Sequence, residues 1–385
     1  MKRILTKLRA SSKKIVGSSS KNAAHFLLIP ELLNSPPNCA IINAYLADGY
    51  SVDVYSPGDP SEKTTYGDKV NTFTVGYTWV WIFKHILSLR WFKYEWISGT
   101  SEDPLAFVGI LSFLYRKKSF TLVDEIKSGA YRGDRSDQWK GVCKWAIKRA
   151  DFRIVNDTHR VKLLSDYASL NLNDKILIYP GCYVERPNVV EDRQSIKKGW
   201  GFPEDAFVIG SSGGFNLTAG ADWLLDSLKE LTDIYAVVQP LGVSPLSIFL
   251  MESLEYSKRL FIQKKRLDWN DAWKKSIGFD IGLSIYTNPA PQFQKMGISS
   301  NRLCMFIAMG VPVIASKQES FEFLEDFECG ILVESYREFK MAITEIKTRH
   351  ASMRMNCEKC FQDYIKSKEY FNALLGSIHN LSSKK

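Results

Sequence analysis

Short apolar runs alternate along this chain with longer segments whose apolar positions recur every third or fourth residue. Compact runs bounded by polar, Gly or Pro positions predict buried strands, and the longer periodic segments predict helices. In the first half, strands are predicted at residues 24–29, 50–55, 120–123, 150–155 and 175–179, with helices over 39–48, 105–115 and 139–149. Gly49 closes the first of these helices and Glu102-Asp103-Pro104 opens the second. In the second half, strands at 207–210, 235–238, 260–262, 280–285, 311–316 and 330–333 alternate with helices at 221–231, 247–256, 270–277, 319–327 and from 337 onward. Such alternation builds parallel sheets with helices on both faces. Residues 184–199 are charged, contain Pro187 and lack an apolar pattern, so they are expected to link two such domains.

Residues 73–96 are dense in aromatics, with Lys84, His85, Arg90 and Lys93 interleaved. The pattern suits a core-packed helix with a basic outer face, and also stacked bases or sugars or a membrane interface. Residues 30–38 and 126–137 are expected as loops.

Gly297–Ser316, GISSNRLCMFIAMGVPVIAS, stands out chemically. A Gly/Ser-rich loop ends at Ser299, Ser300 and Asn301, and a helix with Leu303, Phe306, Ile307 and Met309 follows until Gly310. Ser or Asn caps a helix start and Gly stops one. The uncapped N–H groups and the dipole of a helix start favour an anion, phosphate above all. Arg302 stands in the first turn, where acids are preferred, and a cation at the mouth of an anion site would explain it. The Gly213-Gly214 pair is read as a Gly-rich turn between the strand at 207–210 and the next helix, which is also phosphate-friendly. It matches neither G-x-G-x-x-G nor a P-loop.

Composition narrows the class. The chain has 385 residues, 45% of them hydrophobic and 24% charged, enough for two soluble domains. Seven scattered cysteines and no secretory leader point to reduced thiols and a cytoplasmic protein. Cys357-Glu358-Lys359-Cys360 is one C-x-x-C pair, half of a zinc set, and no metal site is expected. The net charge is +9, but Lys2, Arg3, Lys7, Arg9, Lys13, Lys14 and Lys21 supply seven of those charges, with no acid in residues 1–21. A nucleic-acid-binding face is therefore not indicated, and no nucleic-acid partner is expected. Ile4, Leu5, Leu8, Ile15 and Val16 fall at roughly helical spacing among these charges. The segment is either an amphipathic helix for an anionic membrane surface or a disordered basic tail. No run reaches the roughly 20 apolar residues of a membrane span.

Ser300, Asn301, Arg302 and Leu303, followed by Ala308, Gly310, Pro312, Val313 and Ile314, resemble the diphosphate-binding helix and following strand of GT-B-fold glycosyltransferases of the family 1/4-like group. Phe279-Asp280-Ile281-Gly282-Leu283, Tyr286 and Cys329–Val333 resemble further landmarks of that family. The likeness spans roughly residues 24 to 365. It implies two Rossmann-like, doubly wound parallel-sheet domains facing a cleft. Residues 22–183 would bind the acceptor and residues 200–365 the nucleotide-sugar, with 366–385 a C-terminal helix and tail. It implies transfer of a sugar from a nucleotide-sugar donor to a glycan acceptor, in cell-surface polysaccharide synthesis, with no cofactor beyond the substrate. The basic segment 1–21 and the aromatic belt at 73–96 extend this to a lipid-linked acceptor and a peripheral place on the inner face of the membrane. Donor contacts would come from Gly213, Gly214, Ser299, Ser300, Asn301 and Arg302. Asp124 and Glu125, at a strand's carboxyl end, are candidates to polarise an acceptor hydroxyl, with His159 and His25 behind them.

The chain also departs from the family. The paired glutamates of many retaining members fall here at Gly297 and Met305, and the basic residue of the earlier helix falls at Ala219. A catalytically inactive GT-B-like binding or scaffold protein is therefore the alternative, and an epimerase or phosphorylase of the same fold a third.

Overall fold

The computed structural model describes residues 21–28, 35–58, 66–126, 140–171, 174–181, 186–189, 191–243, 258–265, 267, 269–366 and 368–383. The basic segment 1–20, part of the loop at 30–38, the loop from 127 and the helix expected at 247–256 lie outside the described residues. The chain divides into two compact units, one running to Pro180 and including the segment from Lys368, the other Gly181–Ser367.

The first unit is built on seven parallel strands: β1 (Lys21–Phe26), β2 (Tyr50–Ser56), β3 (Val70–Thr74), β4 (Trp96–Thr100), β5 (Lys118–Leu122), β6 (Phe152–Val155) and β7 (Ile176–Ile178). Their order is β3-β2-β1-β4-β5-β6-β7, so the winding reverses between β1 and β4. Helices α1 (Pro36–Ala47), α2 (Trp79–His85), α3 (Glu102–Tyr115), α4 (Lys140–Arg149) and α5 (His159–Ala168) connect them. The second unit has six parallel strands: β8 (Phe207–Phe215), β9 (Ile234–Val243), β10 (Leu260–Ile262), β11 (Ile281–Ser284), β12 (Val313–Ser316) and β13 (Gly330–Val333). Their order is β10-β9-β8-β11-β12-β13, with the reversal between β8 and β11. Its helices are α6 (Arg193–Gly199), α7 (Ala221–Glu230), α8 (Trp269–Ser276), α9 (Asn301–Ala308), α10 (Phe323–Asp326) and α11 (Tyr336–Cys360). Both units are thus doubly wound, and in such sheets ligands gather at the carboxyl ends of the strands beside the reversal.

Four elements differ from expectation. The residues of the expected linker include α6, opened by Asp192, whose Oδ1 accepts the Ser195 N–H at 2.8 Å. Ile196 and Lys197 of that helix are buried, so its apolar content is small but decisive. The Gly-rich stretch is no turn: β8 runs on through Gly213-Gly214 to Phe215, pairing with β9 across a bulge, because β9 is long enough to keep accepting it. The aromatic region is not one helix but β3, α2, a short 3-10 turn at Leu89–Lys93 and β4, with Trp91, Tyr94 and Trp96 fully buried. Finally, α12 (Lys368–Ser383) belongs to the first unit. Its Ser382 hydroxyl meets the Tyr50 hydroxyl at 2.7 Å and accepts from the Trp96 indole at 2.9 Å, and Lys175 Nζ donates to its Ser377 at 2.7 Å.

Close approach of α9 to β11 fixes the second unit. A Cβ at Gly282 would lie 2.3 Å from the Phe306 ring, so only glycine lets α9 lie flat on this strand. Asp280, just before β11, holds α6 in place. Its Oδ2 accepts from the Val208 N–H at 2.8 Å and meets Lys197 Nζ at 3.0 Å, and its Oδ1 pairs with Arg193. Lys197 and Asp280 are both buried. Removing one partner of a buried pair strands the other charge. Asp280→Ala is expected to cost the second unit about 3 kcal/mol or more in urea unfolding, far beyond the exposed pair Lys317–Glu334.

Candidate functional site

Each unit carries a group of polar residues at its sheet's carboxyl end. In the second unit the group is built around the start of α9. Ser300 is the N-cap: its Oγ accepts the Leu303 N–H at 3.3 Å and lies 2.7 Å from the Tyr286 hydroxyl and 3.3 Å from Ser284 Oγ. Tyr286 follows β11, and its hydroxyl accepts from Arg302 Nε at 3.1 Å. Arg302 Nη2 donates to the Ile285 carbonyl at 2.7 Å, with the guanidinium 4.3 Å from the centre of the Tyr286 ring. A consistent proton count has Tyr286 donating to Ser300 and Ser300 donating to Ser284.

Arg302 is only 8% exposed, and among the described residues it meets no carboxylate. A buried guanidinium without an acid partner is unusual, because a charge leaves water at a large cost unless an opposite charge receives it. The N–H groups of Asn301 and Arg302 have no acceptor among the described residues, as expected for a first helical turn. Helix dipole, free amides and cation thus add up to a positive pole at one place.

The preceding loop is held rigidly. Met296 N–H donates to Gln318 Oε1 at 2.9 Å and Gly297 N–H to Ser320 Oγ at 3.1 Å. The Ser299 hydroxyl donates back to the Met296 carbonyl, so of the two serines only Ser300 joins the network at the cap. Gly181 N–H donates to the Ile298 carbonyl at 2.8 Å, and a Cβ there would sit 2.3 Å from Asn301 Oδ1. Gly213 has φ +91° and a Cβ there would meet nothing within 4 Å. The chain after Gly214 returns to this place: Thr287 N–H donates to the Thr218 carbonyl at 3.0 Å, beside Tyr286. Met305, where the resemblance would place a glutamate, is fully buried and apolar.

In the first unit Asp124 follows β5 and is partly buried. Its Oδ1 accepts from Ser101 Oγ at 3.0 Å and from the Glu125 N–H at 3.0 Å. Ser101 has φ 71° and ψ 170°, a conformation natural to glycine. A serine held there stores strain, and such strain collects at functional positions. Loss of solvation and the neighbouring Glu125 charge push the Asp124 carboxyl up to about 6. Glu125 itself is exposed. His159 opens α5, and its Nδ1 lies 2.9 Å from Oδ1 of buried Asp157. Asp157 thereby orients the ring. Arg160 Nη1 donates to the Asp124 carbonyl, tying the start of α5 to the end of β5. His25 does not join them. It is fully buried, with Nδ1 2.9 Å from Ser98 Oγ and Nε2 2.8 Å from Asn38 Oδ1, and burial lowers its pKa to about 4. It is a neutral tie between β1, β4 and α1 at the point where the winding reverses.

Sequence reading missed Ser101, Asp157 as the orienter of His159, and the Tyr286 bridge. The i, i+2 spacing of Asp157 and His159 was visible, but the positive φ of Ser101 leaves no sequence signal.

No protein-family model and no curated protein sequence matches this chain. Solved structures do match it in fold. HepE of Anabaena, solved with UDP-glucose, superposes with a TM-score of 0.70 at 17% identity, over 94% of this chain and 99% of that one. Sucrose-phosphate synthase of Thermosynechococcus elongatus gives 0.68 at 14% identity, over 95% and 100%. A candidate UDP-N-acetylglucosamine 2-epimerase from Listeria monocytogenes gives 0.57 at 11%, over 95% and 98%. The fold is therefore the GT-B fold, two Rossmann-like parallel-sheet units.

Asp124 sets a pH dependence whose sign follows from its raised pKa. Below about pH 3 the carboxyl is protonated in folded and unfolded chains alike and has no effect. As pH rises through the unfolded value of 3.8 the unfolded chain releases its proton first, so stability falls until the folded carboxyl has also ionised, above about pH 7. Asp124→Asn is expected to raise stability at pH 7.5 by about 1–3 kcal/mol and to leave it unchanged at about pH 3, read by urea unfolding.

Proposed function

We propose that this protein is a glycosyltransferase that moves a sugar from a nucleotide-diphosphate-sugar to a glycan or lipid-linked acceptor. One observation carries the reading: Arg302 is buried with no carboxylate among the described residues, beside the α9 amides of Asn301 and Arg302, which have no acceptor among them either. A diphosphate supplies the missing negative charge. It is also the leaving group of glycosyl transfer, where charge grows as the sugar departs. Preset N–H groups and a fixed cation stabilise that growth without a metal or other cofactor. Asp124 takes the acceptor's proton, since a carboxyl near 6 is ionised at neutral pH yet basic enough to matter. His159, held by Asp157, hydrogen-bonds the acceptor beside it. The UDP-glucose complex of HepE, a protein of the same fold, agrees with a nucleotide-sugar donor.

A lipid-linked acceptor, in cell-surface polysaccharide synthesis at the inner membrane face, is supported by charge. Besides residues 1–21, α4 carries Lys140, Lys144, Lys148 and Arg149 and no acid. Arg149 lies 4.8 Å from the ring of exposed Phe113. No described helix is long and apolar enough to cross a membrane. The second reading, a nucleotide-binding scaffold without transfer, draws on the absent glutamates at Gly297 and Met305.

Two variants separate these readings. Arg302→Ala is expected to weaken binding of the preferred nucleoside diphosphate by about 10- to 100-fold, measured by calorimetry over UDP, GDP, CDP and ADP. Unchanged affinity would remove the phosphate role. Asp124→Asn is expected to lower kcat about 100-fold or more while leaving donor affinity intact, measured by sugar transfer to extracted lipid and glycan acceptors. A wild-type protein that binds donor but transfers to none of them supports the scaffold.

A further inference from the structure

The second unit buries a carboxamide that its described residues do not use. Gln239 on β9 is 5% exposed, and neither its Oε1 nor its Nε2 has a hydrogen-bond partner among the described residues. Buried amides are almost always paired, so one left wholly unpaired requires an explanation. It weakens the fold, since the amide gives up water and receives nothing in return.

Its place in the sheet supplies the explanation. Residues of one strand alternate between the two faces. Ile234, Ala236 and Val238 of β9 pack into the core shared with α7 and α11, together with Ile209, Ile281 and Leu283. Gln239 therefore lies on the other face, with Tyr235 and Val237. On that face Gly210 and Gly282 receive Phe279 and the Phe306 ring of α9. Gln239 pairs in register with Ser212 of β8. Gly210 of β8 pairs with Gly282 of β11, and two residues beyond Gly282 stands Ser284. Ser284 Oγ lies 3.3 Å from Ser300 Oγ, the cap of α9. Gln239, Ser212 and Ser284 thus form a row across the carboxyl end of the sheet, on the α9 face, beside the reversal between β8 and β11. At the usual strand spacing the row is about 10 Å long. A phosphate pole stands at one end and an unpaired carboxamide at the other.

We infer that Gln239 reads the nucleobase of the donor nucleotide. A carboxamide offers one acceptor beside one donor, which matches the edge of a base that carries an N–H next to a carbonyl, as uracil does. The ribose spans the interval between base and diphosphate. This inference rests on the nucleotide-sugar reading and adds the element that selects among nucleotides. It also accounts for a group that costs stability in the free protein: the ligand completes its hydrogen bonds.

Gln239→Met tests it, because methionine has similar length and no amide to satisfy. The probes are UDP, CDP, GDP, ADP and inorganic pyrophosphate, titrated calorimetrically into wild-type and variant protein, with melting temperatures taken without ligand. The inference predicts that Gln239→Met binds the preferred nucleoside diphosphate about tenfold more weakly and pyrophosphate as the wild type does. It also predicts an unliganded melting temperature about 2–4 °C above the wild type. If the wild type prefers one nucleotide and the variant keeps that preference at full affinity, the base-reading role is overturned while the donor reading stands. Equal loss for pyrophosphate and nucleotide overturns it as well, since the effect is then not on the base. If the wild type binds no nucleotide, both fall together.

Discussion

The second unit is organised around a buried cation. Arg302 is buried against Tyr286 and the Ile285 carbonyl, with no carboxylate among its described neighbours. Everything that fixes it is local: the Ser300 cap, the Tyr286 bridge and the flat packing of Phe306 on Gly282. Each would be a modest contribution alone. Together they hold a cation at the positive end of a helix, an arrangement the fold by itself would disfavour. Such a pole is stable when an anion occupies it, which is why the local electrostatics bear on function more directly than the fold does. The GT-B fold alone is shared by proteins of different chemistry.

The first unit stores a different tension. Ser101 adopts a backbone conformation natural to glycine, and its hydroxyl meets a carboxyl whose pKa is already raised. Strain and desolvation converge on Asp124, whereas Glu125 beside it remains in solvent. Two adjacent acids of equal promise in sequence thus become unequal in structure. His25 and His159 part in the same way. One ring is sealed inside the sheet with both nitrogens used, and the other is held at a helix start by Asp157.

Much of the fold was legible in the sequence because strand cores are short apolar runs and helices carry a different period. The α9 region was clear, since its cap, its stop and its buried strand follow one another without interruption. What escaped depends on partners distant in sequence. Helix α6 has too little apolar residue to announce itself and is held by Asp280, more than eighty residues away. Gly213-Gly214 looked like a turn, yet the length of β9 keeps it in the ladder. The C-terminal helix is claimed by the first unit through single polar contacts such as Ser382 with Tyr50 and Trp96. At the candidate sites, residue types were readable, but burial was not. Sequence could name Arg302 and could not say that it would lie buried with no acid among its described neighbours.

The most direct test of the account is a TROSY titration of the backbone amides with UDP and the other nucleoside diphosphates. The largest downfield shifts on saturation are expected at the Asn301 and Arg302 amides, which donate to the diphosphate. Saturable binding that leaves those two amides unmoved would contradict it, because the positive pole at α9 would then serve some purpose other than the donor.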